Sequence, residues 1–345
     1  MKAVVFHAHG GPEVLRYEEA PDPKPGAGEI LIEVHATSIN HIDIFLRRGM
    51  PGVKVPLPKI AGCDAAGIVK EVGTGVTEPR VGDRVTINPG ISCGHCEFCA
   101  AGFGSECTTY QMVGEHIQGA YAQLLKVPAH VAIRIPDALS FEDAAAAPLV
   151  FLTAWSMLIG KGKIQAGEDV LILGAGAGVG TAAIQIAKLS GCRVIATASS
   201  DVKLDRAKAL GADILINYRK EEFDKRIRDI TARRGVDVVV DYIGNDTWVQ
   251  SLRSARKGGR ILTCGATTGF APQTDLRHIF YRQVQVLGST MGSHREFLDV
   301  MKCIFRGQLK PVIDRVLPLS DARLGHELIE KREVFGKIVL KPSDV

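Results

Sequence analysis

What this chain lacks narrows it first. No apolar run is long enough to cross a bilayer: the longest, Ala144–Leu152, is interrupted by Pro148, whereas a spanning helix needs about 20 apolar residues. No Lys/Arg block resembles a nucleic-acid-binding arm, and the net charge is only +4, so neither nucleic acid nor membrane is an expected partner. The opening residues Met1-Lys2-Ala3-Val4-Val5-Phe6-His7 hold too short an apolar stretch for a signal peptide. The expected compartment is therefore a reducing cytoplasm. Internal repeats are absent, as are the compositional biases of disordered, collagenous and coiled-coil chains. A globular chain of 345 residues remains, long enough for two domains.

Against that background the cysteines are unevenly placed. Cys93, Cys96, Cys99 and Cys107 form a C-x2-C-x2-C-x7-C run. Four thiolates in one short loop close a tetrahedral shell around Zn²⁺ and leave no position open for substrate. The ion they imply is structural, and a pair of disulfides is the less suitable use of that spacing in an intracellular chain. His95 lies inside the run, but four sulfurs already complete the shell. The remaining cysteines, Cys63, Cys192, Cys264 and Cys303, are expected as free thiols in the core.

The order of patterns along the chain sets the fold class. Residues 1 to about 150 carry short alternating runs, such as Leu31-Ile32-Glu33-Val34-His35-Ala36 and Gly67-Ile68-Val69-Lys70-Glu71-Val72. Pro and Gly punctuate them, which predicts a distorted β-barrel. From residue 151 the pattern changes. Val170-Leu171-Ile172-Leu173 reads as a strand buried on both faces. Helices at 179–189 and 202–210 then alternate with strands at 193–197, 214–216, 236–240, 260–262 and 284–287. That alternation predicts an α/β, doubly wound parallel sheet. Residues 292–345, with a helix at 296–305 and a strand at 336–340, are expected to return to the first lobe. The expected domains are thus 1–150 with 292–345, and an inserted 151–291.

After strand 170–173 comes Gly174-Ala175-Gly176-Ala177-Gly178-Val179-Gly180. The strict G-x-G-x-x-G frame is absent, but alternating glycines still allow a tight turn. They bring backbone N–H groups close to a pyrophosphate at the start of the next helix. The run sits between a buried strand and an apolar helix, which favours a dinucleotide site over a merely flexible loop. An NAD site places an acid at the end of the second strand. Here that end reads Thr197-Ala198-Ser199-Ser200, without one. Ser199, Ser200 and Lys203, with Arg219 after the third strand, suit the 2′-phosphate of NADP(H) instead.

Together these residues resemble the medium-chain dehydrogenase/reductase superfamily over nearly the whole chain. The resemblance implies a GroES-like catalytic lobe, a Rossmann lobe and a structural zinc on the cysteine loop. The superfamily's zinc alcohol dehydrogenases hold a second, catalytic zinc at three positions. Here these fall on Asn40 (in Asn40-His41-Ile42-Asp43), Cys63 (in Gly62-Cys63-Asp64) and Phe151 (after Ala147-Pro148-Leu149-Val150). Phe binds no metal and Asn binds zinc poorly, so that site is expected to be dismantled. An altered metal site of His41, Cys63 and Asp64 is the alternative.

The chain is similar to the zinc-free quinone oxidoreductase branch, whose N-x-I-D pattern matches Asn40 to Asp43. The same likeness puts Lys203 and Tyr218 at the cofactor 2′-phosphate, and the segments Asp241–Asn245 and Cys264-Gly265-Ala266 beside the cofactor. It implies NADPH-dependent hydride transfer to a quinone or an α,β-unsaturated carbonyl (enone or enoyl thioester), with Asn40, His41 and Asp43 lining the cleft and Asp43 orienting the strand-loop rather than acting as an acid. Thr153 and Trp155 would approach the nicotinamide. The tyrosine that some enoyl thioester reductases use as proton donor has no counterpart in Gly49-Met50-Pro51. Two rival readings are a zinc-dependent alcohol dehydrogenase with atypical ligands and a non-enzymatic NADPH-binding sensor. Homodimers or homotetramers are implied as the assembly, and a small molecule as the substrate.

Overall fold

The computed structural model describes residues 1–50 and 52–342. The chain divides into two compact units, Met1–Leu149 with Ser293–Val345, and Val150–Gly292. Along the first part of unit 1 run β1 (Lys2–Phe6), β2 (Glu29–Ser38), the helix α1 (His41–Arg48), β3 (Asp64–Val72), β4 (Arg84–Ile87), β5 (Leu124–Pro128) and β6 (Ala132–Arg134). Unit 2 follows with β7 (Asp169–Ile172), α2 (Gly178–Leu189), β8 (Arg193–Ala198), α3 (Asp201–Ala209), β9 (Ile214–Asn217), β10 (Val236–Val240), β11 (Ala255–Thr263) and β12 (Gln285–Gly288). The chain then returns to unit 1 through α4 (His294–Phe305), β13 (Ile313–Pro318), α5 (Ala322–Glu330) and β14 (Lys337–Lys341).

Unit 1 is organised around β2, a ten-residue strand whose side chains are buried on both faces for most of its length. One edge of β2 pairs antiparallel with β3 from Ile30 to Ser38. The other edge is shared. Its first half, Glu29–Glu33, pairs with β5, and its last residues, Thr37 and Ser38, pair with β14. Asp64 at the start of β3 lies opposite Ser38, as does Val339 of β14. Three distant stretches of sequence therefore meet at the carboxyl end of β2. Ile30, Ile32, Val34, Val85, Leu125 and Val127 form one core on this sheet. A second core gathers Phe6, Ile39, Leu46, Tyr121 and Ile338.

Unit 2 is a six-stranded sheet in the order β9-β8-β7-β10-β11-β12, with every adjacent pair parallel. β7 and β10 are buried along their whole length. That is why they are rich in Val, Ile and Leu rather than alternating with exposed polar residues; the acid each carries, Asp169 and Asp237, is paired with arginine. Strand order reverses beside β7, and a crevice at such a reversal is where doubly wound sheets bind nucleotides. No helix among the described residues is long and apolar enough to cross a membrane.

Candidate active site and nucleotide cradle

In unit 1 the site grows from a turn. Leaving β2, the chain enters α1 at Asn40, whose extended backbone starts a capping box with Asp43. The Asp43 carboxylate accepts the Asn40 backbone N–H at 2.8 Å. It also accepts the Gly62 N–H at 3.0 Å and the Tyr121 hydroxyl at 3.0 Å. It is fully buried, and burial raises its pKa to about 6 against the pull of those donors. Asp43 therefore turns its carboxylate inward. All its accepting directions point into the protein, so it fixes the turn that carries Asn40 and His41.

Behind Tyr121 the polar contacts continue. The Tyr121 hydroxyl lies 3.3 Å from His326 Nε2, and Arg47 lies 3.3 Å from His326 Nδ1. Arg47 can only donate, so Nδ1 accepts and Nε2 carries the hydrogen. Burial and the Arg47 charge hold the pKa of His326 down to about 3. Glu330 pairs with Arg47.

Asn40 itself is 4% exposed. Its Nδ2 donates to Asp64 Oδ2 at 2.8 Å, and its Oδ1 accepts from the Lys337 ammonium. Lys337, 3% exposed, also donates to the Ile39 carbonyl at 2.8 Å and lies 3.5 Å from Asp64 Oδ2. Asp64 further accepts the Ser38 hydroxyl at 2.8 Å and the Leu149 N–H at 2.9 Å. Cys63 is completely buried, 3.8 Å from Asp43. Burial and two neighbouring carboxylates push its thiol well above the ordinary range, so it stays protonated. The alternative metal site of His41, Cys63 and Asp64 does not assemble. Among the described residues the four-cysteine loop is the one group of three or more such ligands that converges.

His41, the first residue of α1, is exposed. Its pKa is lowered to about 4 by desolvation and by the charges of Lys337, Arg332 and Arg48. Solvent moderates the first of these causes, while the three cations all act in the same direction. At neutral pH His41 is a neutral imidazole. Pro51, the last residue of the segment without a tyrosine, lies outside the described residues.

The cysteine loop is a separate centre. The ligand atoms of Cys93, Cys96, Cys99 and Cys107 all lie within 4.8 Å of one another, and Cys93 and Cys99 Sγ are 3.9 Å apart. Zinc bound tetrahedrally by sulfur at about 2.3 Å requires S···S spacings near 3.8 Å. None of the four forms a disulfide. Backbone N–H groups of Cys93 and Cys96 point at Cys107 and Cys93 Sγ, at 3.3 and 3.4 Å, an arrangement that stabilises thiolates. The donor set fits a closed structural zinc.

In unit 2 the turn Gly174–Gly180 joins β7 to α2. Gly174 has φ +63, a conformation open to glycine. A Cβ on Gly180 would lie 2.5 Å from the Gly174 carbonyl and 2.6 Å from the Tyr242 hydroxyl. Tyr242 donates to that carbonyl at 2.9 Å and so props the turn. The sequence alone carries no signal for this role. No side chain caps the start of α2, which leaves its first N–H groups for an anion. Gly174, Gly176, Gly178, Val179 and Gly180 thus fit a pyrophosphate.

β8 and β9 pair in register up to Ala198 and Asn217. Ser199 and Ser200 therefore emerge beside Tyr218 and Arg219, with Lys203 on the first turn of α3. The nearby acid, Asp201, is engaged by Lys220 at 2.6 Å and Asn217 at 2.8 Å. Gly265, exposed after β11, follows the same sheet end. Phe151 and Thr153 are buried in unit 2, and Thr153 contacts the Met291 sulfur at 3.8 Å.

A Rossmann-type sheet with a glycine cradle, joined to a β-rich unit bearing a cysteine cluster, defines a nicotinamide-dependent oxidoreductase. Family models agree: residues 26–137 match the alcohol dehydrogenase GroES-like domain, and 178–306 match the zinc-binding dehydrogenase family. The chain belongs to the zinc-binding medium-chain dehydrogenase/reductase superfamily. It is 33% identical over 352 residues to a quinone oxidoreductase of Salmonella typhimurium, covering 98% of this chain and 99% of that protein. It is 30% identical over 344 residues to an acryloyl-coenzyme A reductase of Sulfurisphaera tokodaii, covering 99% and 100%. The solved structure of an NAD-dependent alcohol dehydrogenase superposes with TM-score 0.95 at 47% identity, covering 99% of each chain.

Proposed function

We propose that the protein transfers hydride from NADPH to a quinone or an α,β-unsaturated carbonyl, without a catalytic metal. The observation that carries this reading is the set of contacts around Asn40. Its amide is held between Lys337 and Asp64, Cys63 is a buried neutral thiol, and Phe151 offers no ligand atom. A simple ketone needs strong polarisation of its oxygen before hydride attacks. A conjugated acceptor spreads the incoming charge and needs only a positioned hydrogen-bond donor. Asn40 would be that donor. Neutral His41 would orient bound groups rather than give up a proton, and Asp43 would hold the turn.

NADPH is favoured because Ser199, Ser200, Lys203, Tyr218 and Arg219 surround a strand end whose nearest acid, Asp201, is already engaged. The 47% identical alcohol dehydrogenase favours a second reading, NAD-dependent alcohol oxidation. Turnover with NADPH and NADH against a quinone, an enone, an enoyl thioester and a primary alcohol separates the two. Activity confined to the alcohol, and abolished by a chelator, overturns the first. We also infer a cytoplasmic homo-oligomer. β12 is an outer strand of its sheet, and Phe280, Tyr281 and Val286 are exposed. Light scattering after size exclusion tests the assembly.

A further inference from the structure

Glycines give a turn freedom but no side chain to hold it, so the Gly174–Gly180 turn takes its shape from its neighbours in unit 2. Towards β8, the Ala175 N–H donates to the Thr197 carbonyl at 2.9 Å. The Gly174 carbonyl accepts the Ala177 N–H at 2.9 Å, which closes the turn on itself. The same carbonyl accepts the Tyr242 hydroxyl at 2.9 Å, which ties the turn to the chain leaving β10. Tyr242 is buried, and burial holds its phenol well above the ordinary range, so the hydroxyl keeps the hydrogen it donates. The stretch it reaches from is itself fixed. The neighbouring Asp241 carboxylate accepts the N–H groups of Ile243 and Gly244 at 2.9 and 3.1 Å, and the hydroxyls of Thr247 and Ser251 at 2.9 and 2.6 Å. A Cβ on Gly180, in the first turn of α2, would come within 2.6 Å of the Tyr242 hydroxyl. One phenol therefore stands against both ends of the turn, the strand end and the helix start.

We propose that Tyr242 is a positioning residue for the dinucleotide: its phenol, set between the end of β7 and the first turn of α2, fixes the shape of the turn that takes the pyrophosphate. This rests on the reading of Gly174–Gly180 as the nucleotide cradle. The role lies wholly within unit 2 and is blind to what either end of the cofactor carries. The pyrophosphate belongs equally to NADPH, NADH and ADP-ribose, so all three depend on Tyr242 to the same degree. Lys203, at the end of β8, is expected to behave oppositely and to tell the 2′-phosphate from the bare ribose. Without the hydroxyl the turn keeps its tie to β8 and loses the one towards β10. A ligand must then supply the ordering that the protein no longer does.

The test is direct binding of NADPH, NADH and ADP-ribose to the zinc-loaded protein, followed by calorimetry. Tyr242→Phe removes only the hydroxyl and should raise the Kd of all three ligands by one common factor, about threefold to tenfold, the scale of a single neutral hydrogen bond. Gly180→Ala presses a methyl against the same hydroxyl and should weaken the same three ligands. Because both changes act on one turn, their losses should not multiply in Tyr242→Phe/Gly180→Ala. Wild-type affinities in Tyr242→Phe, even with a lowered melting temperature, make the tyrosine merely structural and overturn the proposal. So does a Tyr242→Phe protein that loses NADPH and NADH but keeps ADP-ribose, since that pattern puts the phenol at the nicotinamide instead. A wild-type protein that binds none of the three overturns the reading of the cradle itself.

Discussion

The molecule contains two polar clusters that solve the same electrostatic problem in opposite ways. At the cysteine loop four sulfurs converge within 4.8 Å. Backbone N–H groups point at two of them, Cys107 and Cys93, and the charge that would join the four sulfurs is a cation from outside. Around Asn40 a buried carboxylate also gathers donors, but its cation belongs to the chain: Lys337 lies 3.5 Å from Asp64. A cluster that imports its charge depends on metal supply. One that carries its own depends on the fold being complete.

The largest effect is expected where the imported charge is removed. Cys96→Ser should take zinc from about one ion per chain, the number of closed shells present, to nearly none, with a lowered melting temperature because metal binding is coupled to folding. Elemental analysis and calorimetry check this, and a retained ion would make the loop no true contrast to the Lys337 cluster. Next comes removal of the built-in pair. Asp64→Ala leaves a buried ammonium without its anion and should destabilise the protein by about 3–5 kcal/mol in denaturant unfolding, with zinc content unchanged. A loss of zinc in that variant would mean that the two clusters are coupled and the contrast between them dissolves.

A smaller effect belongs to the nucleotide cradle, whose charge acts on a ligand rather than on folding. Lys203→Ala should weaken NADPH by about tenfold, the size of one charge-assisted hydrogen bond, and leave NADH nearly unchanged in fluorescence titration. Equal weakening of both would remove the case for a phosphate pocket.

The smallest effect is proton-linked. The pKa of His326 is held to about 3 from the ordinary 6.5. As pH falls through 6.5 toward 3 the unfolded chain takes up a proton that the folded one refuses, so stability falls. Asp43 works in the other direction. Raised from 3.8 to about 6, its contribution is full below pH 3.8 and is lost as pH rises through 6. The two oppose each other between about pH 4 and 6. His326→Gln should therefore flatten the fall in melting temperature from pH 7 to pH 5. An unchanged slope would mean that the Arg47–His326–Tyr121 contacts are not proton-linked.

Much of the fold is legible because it is written locally. The unbroken apolar run at 170–173 announces a doubly buried strand, and the glycines between β7 and α2 announce a close backbone approach. The cysteine loop is legible for the same reason, since its ligands lie within one short stretch. The arrangement at Asn40 is not. Lys337 reads as one more lysine at the edge of a strand, and Asp64 as half of a motif from which metal ligands have gone. Their meeting depends on β14 pairing with the last residues of β2, which no local pattern states. Tyr242 is silent in the same way: a buried tyrosine reads as core until its hydroxyl is seen on the Gly174 carbonyl. Asp43 reads as a residue that orients the loop after β2, but its place beside Asn40 and His41 gives no hint that Tyr121 and Gly62 are its donors.

The pairing of β14 with β2 also has a consequence for synthesis. Asn40 and Lys337 are 297 positions apart, with all of unit 2 translated between them. While the ribosome is still making β7 to β12, Asp64 has been made but its countercharge has not. Unit 2 is continuous in sequence and can close on its own, whereas unit 1 must wait for β14. A nascent chain stalled before residue 337 should yield a protease-resistant Val150–Gly292 fragment beside a labile amino-terminal half.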